Sequence, residues 1–333
     1  MKIDNEIFIA GAQKSGTSTL FDVLRKHDKI LPSKVKEPQF FALEESLFNK
    51  HESWYGSLFD RRESEPFLLD GSTFYFTSKW AIENIAESVE NPYFLFILRD
   101  PVRRAYSAYY HMNKKVPSCD IRSFDTVVHS VRRNMGSKRS IRLAEEEVLK
   151  NGDKEGVLNL NYIDKNYLKD LFGAPFVSKF EDPLWPFRYF HVSQFSNHIE
   201  KYEKVFGESR IKIITLNELI NSSSETIRSI FNFLGLDSAL DNLSGVQHKN
   251  KTLVPKGKVS RNLLWLRKES VILDTVWKSV RNKYQNFAHI IRSFLRRSKP
   301  KISNKMYKDA RCILQDEYSY WSENCSRISS QWD

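Results

Sequence analysis

Residues 7–24, IFIAGAQKSGTSTLFDVL, constrain the fold of this chain more than any other stretch. A short apolar run reaches Gly11, a loop follows, and from Thr17 the residues Leu20, Val23 and Leu24 recur at helical spacing. Strand, glycine loop and helix in that order place backbone N–H groups at a helix start, where they and the helix dipole attract a phosphate. Gly11 and Gly16 have the spacing of the loop that binds nucleoside triphosphates, but Thr17 stands where that loop carries its lysine. The lysine lies inside the loop instead, at Lys14. There it sits over the bridging oxygen beside a group being transferred, which suits a donor whose leaving group is the bound phosphate.

The rest of the chain supplies the sheet that such a loop needs. Stretches 66–72 (PFLLDGS), 93–101 (YFLFILRDP) and 210–216 (RIKIITL) read as strands, and 79–89 and 195–206 as helices. Strands alternating with helices predict an α/β fold: a P-loop-type parallel β-sheet flanked by helices. Residues 120–192 read as an insertion of helices and loops. From about 250 a basic loop leads into a mostly helical C-terminal extension with a cationic run at 292–301. One domain is expected, its main part at 1–250 and its extension at 251–333.

The second informative stretch is LFILRDPVRRAYSAYYH, residues 95–111. Arg99 ends a buried strand, Asp100-Pro101 gives a helix cap followed by proline at the first helical position, and Ser107 lies about two turns on. An arginine and a hydroxyl on one ledge beside the loop suit a second, separate phosphate. A phosphoryl-transfer enzyme places a magnesium-binding aspartate at a strand end; this chain places arginine at position 99.

Together, GAQKSGTSTL and LRDPVRRAYSAYYH resemble the two donor-binding motifs of sulfotransferases that use 3′-phosphoadenosine 5′-phosphosulfate (PAPS). The likeness is to the heparan-sulfate and carbohydrate branch and its soluble bacterial relatives. It implies that Lys14, Ser15, Gly16, Thr17, Ser18 and Thr19 hold the 5′ side of the donor and that Arg99 and Ser107 hold the 3′-phosphate. It implies direct in-line transfer without a metal, leaving 3′-phosphoadenosine 5′-phosphate (PAP). KEPQFF (36–41) resembles the segment that carries the branch's catalytic base, here Glu37. QHKNKTLVPKGKVSRNL (247–263) resembles the basic loop closing over the 3′ side, with Lys251, Lys256 and Lys258 as candidates. YKDARCILQDEYSYWSENCSRISSQW (307–332) resembles an amphipathic helix ending in a tryptophan that packs into the core. One departure stands out: Gly71 in DGSTFYFTS occupies the place of a lysine that many carbohydrate members keep beside the reaction centre, leaving Lys36 or Lys79 to replace it.

Acceptor-side candidates are Ser72, Tyr75, Lys79, Trp185 and Arg188, drawn from aromatic and basic stretches that suit an anionic glycan, with Arg61 and Arg62 nearby in sequence. A net charge of +11 favours anionic partners of any kind, and three widely spaced cysteines indicate neither a disulfide framework nor a zinc site. The absence of a leader-like or membrane-spanning stretch gives a cytoplasmic enzyme as the expectation. The expected partner is a carbohydrate or other hydroxyl- or amine-bearing acceptor, not nucleic acid. A lipid or natural-product hydroxyl is the alternative acceptor. A degenerate phosphate-loop kinase, and a basic binder of nucleic acid or membrane surfaces, are the alternative classes.

Overall fold

The computed structural model describes residues 3–60, 67–115, 122–136, 140–154, 182, 184–237, 253–255 and 296–332. Its centre is a five-stranded, wholly parallel sheet in the order β2-β3-β1-β4-β5. The strands are β1 (Ile3–Gly11), β2 (Ile30–Pro32), β3 (Phe67–Asp70), β4 (Val89–Leu98) and β5 (Ile211–Thr215). β1 lies in the middle because both its faces are apolar: Ile7, Phe8 and Ile9 are fully buried. Ile7 and Ile9 join Leu20, Phe21 and Leu24 of α1 (Thr17–Leu24), together with Ile227, Ile230 and Phe231 of the helix Ser223–Leu234. The opposite face is aromatic, with the Phe8 ring 5.4 Å from those of Phe41 and Phe94 and 6.0 Å from that of Tyr75. Tyr202 of the helix Phe195–Phe206 covers Phe94 and Phe96 on that side.

Residues 66–72, 93–101 and 210–216 form strands as expected, although β4 starts earlier, at Val89. β2 is a strand that periodicity does not announce, since three residues carry no alternation. Helices α2 (Glu45–Lys50) and α3 (Glu52–Ser57) follow β2, and α4 (Lys79–Ser88) precedes β4. Beyond β4, α5 runs from Pro101 to Lys115.

Contacts divide the chain into two compact units. The first, Met1–Ala105 with Asp164–Lys249 and Leu314–Asp333, carries the sheet. The second comprises Tyr106–Ile163 and Asn250–Ile313. In the second, the helix Phe124–Met135 packs on the helices Ile141–Lys154 and Asn304–Ile313, and Arg132 Nη1 donates to Asp309 Oδ1 at 2.6 Å. There, Leu253–Pro255 pairs antiparallel with Arg296–Ser298, so part of the cationic run expected in a helical extension is a strand. The C-terminal stretch also differs from the expected single helix. It breaks at Leu314 and Cys325 into the helices Asn304–Ile313, Gln315–Asn324 and Ser326–Ser329, because both residues leave helical backbone angles. Trp332 is buried in the core as expected.

Candidate active site

The phosphate loop is shaped by backbone angles that few residues adopt. Gly16 has φ +107°, and a Cβ there would lie 2.8 Å from Leu216 Cδ1, so the position requires glycine. Lys14 is left-handed at φ 72°, a conformation that non-glycine residues hold mainly where function or surroundings impose it. α1 then starts with no side-chain cap and no acidic residue in its first turn, which leaves its N–H groups and dipole open to an anion. Ser15 is fully buried and its hydroxyl has no hydrogen-bond partner among the described residues. Thr17 is buried, and Ser18 and Thr19 are half-buried on the same turn.

The second motif touches this loop directly. Arg99, at the end of β4, points Nη1 at the Lys14 carbonyl at 3.5 Å. Burial pushes its pKa down, the Asp100 charge opposes that, and the Arg103 charge adds to it. Arg104 is a residue that sequence reasoning passed over. It is almost wholly buried, with Nη1 donating to the Gln13 carbonyl at 3.4 Å, Nε to Ser193 Oγ at 2.7 Å and Nη2 to the Tyr189 carbonyl. The signal was the Arg103-Arg104 doublet in the first helical turn, one residue facing solvent and the other turned inward. Asp100 accepts from the Arg103 backbone N–H at 2.6 Å and from the Tyr318 hydroxyl at 2.7 Å. Oδ1 thus holds the helix start, as a cap does, while Oδ2 ties it to Tyr318 of the C-terminal segment. Ser107 is buried two turns along α5. Lys251, Lys256 and Lys258 lie outside the described residues, as do Arg61 and Arg62.

Glu37 sits in a clamped loop. Its backbone is left-handed at φ 64°, and that of Gln39 at φ 58°. Lys36 Nζ lies 2.5 Å from Glu37 Oε1, while Thr73 Oγ1 and Gln39 Nε2 donate to Oε2 at 3.0 and 3.4 Å. The carboxylate stays one-quarter exposed, so it is both held and reachable. The segment after β3 does the clamping: Ser72 Oγ accepts the Gln39 N–H at 2.9 Å and Tyr75 Oη the Phe41 N–H at 3.2 Å. From α4, Asn84 Nδ2 donates to the carbonyls of Phe41 and Leu43.

This arrangement changes the picture of the acceptor side. Ser72 and Tyr75 are fully buried and engaged with the Glu37 loop, with Tyr75 also donating to Asp70 at 2.9 Å. Trp185 is stacked on Phe74 at 5.1 Å and is 1% exposed. Arg188 is buried and ion-paired with Asp182. Lys79 points to solvent, 75% exposed and 3.2 Å from Glu83. Four of these five expected acceptor contacts are therefore interior, and the fifth lies on the outside of α4. A Cβ at Gly71 would meet Phe21 Cδ2 at 2.9 Å, so a side chain there requires the Phe21 ring to shift.

No described helix is long and apolar enough to cross a membrane, and no metal-binding group of three or more histidine, cysteine or acidic residues occurs among the described residues.

The sulfotransferase domain profile matches residues 4–286. Mouse (Mus musculus) heparan sulfate glucosamine 3-O-sulfotransferase 3B1 is 30% identical over 122 residues, 37% of this chain and 30% of that enzyme. The bifunctional heparan sulfate N-deacetylase/N-sulfotransferase 1 of Xenopus laevis is 25% identical over 258 residues, 75% of this chain and 24% of that protein. The matches thus span under a third of the length of these curated relatives. A crystal structure of a sulfotransferase from Alicyclobacillus acidocaldarius shares the fold, with a TM-score of 0.50 at 22% identity over 81% of this chain and 93% of that one. With its profile match covering most of the sequence, the chain belongs to the sulfotransferase domain family.

Proposed function

We propose that this protein transfers a sulfuryl group from PAPS to a hydroxyl or amine of a carbohydrate acceptor. The observation that carries the reading is the junction of the two motifs: Arg99 and Arg104 reach the carbonyls of Lys14 and Gln13, so a strand-end arginine flanks the phosphate loop. The residues fit the donor. An uncapped helix start faces its 5′ side, and the unpartnered Ser15 hydroxyl is an available donor or acceptor in the same turn. When bound, the donor supplies an activated sulfuryl group whose leaving group is a phosphate.

The chain's own groups then divide the work. Lys14, Gly16, Thr17, Ser18 and Thr19 hold the 5′-phosphate, and Lys14 stabilises the charge that builds there as the sulfur–oxygen bond breaks. Arg99 and Ser107 take the 3′-phosphate, with Lys251, Lys256 and Lys258 closing over it. Glu37 removes the acceptor proton as the acceptor atom attacks sulfur. Thr73 and Gln39 hold Oε2 and Lys36 pairs with Oε1, and the side chain stays one-quarter exposed, so the acceptor approaches Glu37 beside Lys36. Lys36, next to Glu37, is the cation that stands in for the lysine absent at Gly71. The glycan acceptor follows from the relatives' activity on heparan sulfate and from the net charge of +11.

Calorimetry with PAP, then labelled-sulfate transfer from PAPS to heparan-type glycans in EDTA, tests the reading. Binding of PAP and metal-independent transfer are expected. Absence of PAP binding refutes the donor assignment, and activity lost in EDTA refutes the mechanism.

A further inference from the structure

Strand β3 ends on a carboxylate where an apolar residue would suit the core. Asp70 follows Phe67, Leu68 and Leu69, and all four are buried. Its backbone is fixed in the sheet beside Phe8 of β1. A charge in such a place is costly unless hydrogen bonds compensate it. Burial pushes the Asp70 pKa up to about 6, and hydrogen bonds from Ser72, Tyr75 and Tyr55 act against that shift. Tyr75 Oη donates to Asp70 Oδ2 at 2.9 Å. Tyr55 Oη lies between Oδ2, at 3.1 Å, and the buried Glu6 of β1, and its one proton serves only one of these two carboxyl groups.

The segment that surrounds Asp70 is also the one that holds the loop of Glu37. Tyr75 Oη accepts the Phe41 N–H at 3.2 Å, and Ser72 Oγ accepts the Gln39 N–H at 2.9 Å. Thr73, between them, donates to Glu37 Oε2 at 3.0 Å. An ionised carboxylate only accepts, so Asp70 draws the Tyr75 proton toward itself and leaves the phenol oxygen's lone pairs to the Phe41 N–H. The two bonds in series, Phe41 to Tyr75 and Tyr75 to Asp70, polarise in one direction and strengthen each other. Glu37 and Gln39 have left-handed backbones, which persist only where the surroundings over-determine them. The ties to β3 are such surroundings.

We propose that Asp70 is a positioning residue for Glu37, acting through Tyr75 and Ser72 to hold the 37–41 loop against the sheet. The inference rests on Glu37 as the base. Asp70 is anchored by a central strand pairing, so the loop inherits its placement from the most rigid part of the fold.

Amide hydrogen exchange and sulfate transfer by the full chain carrying Asp70→Asn test this. Asparagine keeps the volume and puts an N–H2 group where one oxygen stood. Exchange in peptides covering 36–43 is expected to quicken by about tenfold or more, while peptides covering 11–20 keep their rates. Turnover with PAPS and heparan-type glycans is expected to fall about tenfold to a hundredfold in kcat, with PAP affinity unchanged within about twofold. In the Glu37→Gln background the same substitution should change turnover by less than about twofold, because the base it positions is gone. Unchanged exchange over 36–43, or an equal further loss of turnover in that background, overturns the inference and leaves the donor and base readings intact. Normal turnover in Glu37→Gln, or no transfer by the unsubstituted chain, overturns the base reading and this inference with it. Should Asp70→Asn fail to fold, Tyr75→Phe decides, since it keeps the ring contacts with Phe8 and Phe41 and removes the hydroxyl. The same quickened exchange is expected there, and unaltered exchange overturns the inference.

Discussion

Glu317→Gln turns the burial of one carboxyl group into a measurable change of stability. Glu317 is 4% exposed, and burial pushes its pKa from the ordinary 4.5 up to about 7, against the opposing hydrogen bonds from Ser196 and Trp321. A raised pKa means that the folded protein holds this proton more tightly than the unfolded chain. The stability it contributes is fully present below pH 4.5 and is lost as pH rises through about 7. At ~1.4 kcal/mol per pH unit, the whole loss amounts to roughly 3 kcal/mol. Glutamine retains an oxygen for the Ser196 and Trp321 donors and cannot ionise. Urea denaturation of both proteins at pH 5, 6, 7 and 8 isolates the effect, because every other titrating group is common to the pair. The variant should match the wild type near pH 5 and exceed it by a margin that grows toward pH 8. A margin that stays constant across that range refutes the account of Glu317.

Three further outcomes follow from the site. Lys14→Ala should cut turnover by ~10²–10³-fold while PAP still binds, as expected for loss of one preorganised charge-stabilising group. A change under tenfold removes Lys14 from that role. Glu37→Gln should leave PAP affinity unaltered in calorimetry and suppress sulfate transfer; normal turnover would assign the base elsewhere. Gly16→Ala should lower the unfolding free energy by roughly 2 kcal/mol or more, from the left-handed backbone and the Leu216 contact. A chemical-denaturation midpoint that does not move would contradict that constraint.

The parts of this molecule that could be read beforehand are those whose signal is local. The apolar runs around Ile7–Ile9, Phe94–Leu98 and Ile213–Ile214 mark strands because continuous burial on two faces leaves that imprint in consecutive residues. Gly16 announces its turn for the same reason, since a left-handed residue at a helix start favours glycine. The acceptor side was not legible. The role of Ser72 depends on Gln39, thirty-three positions away, and that of Tyr75 on Phe41 and Asp70. Polar and aromatic side chains that clamp a loop have the same composition as those that grip a sugar. Arg104 was hidden likewise, because only the folded chain brings Gln13, Tyr189 and Ser193 around it. The C-terminal stretch reads as one helix, and its two breaks fall at Leu314 and Cys325, whose backbone angles leave the helical range with no turn residue to announce them.

The bond from Tyr318 to Asp100 joins residues 218 positions apart beside the second phosphate motif. During synthesis the loop between Gly11 and Gly16 emerges well before Tyr318 and Trp332, and the neighbourhood of Arg99 cannot assemble until both of these have left the exit tunnel. A chain lacking those residues would leave Arg99 without the aromatic wall that Trp332 gives the cleft beside it.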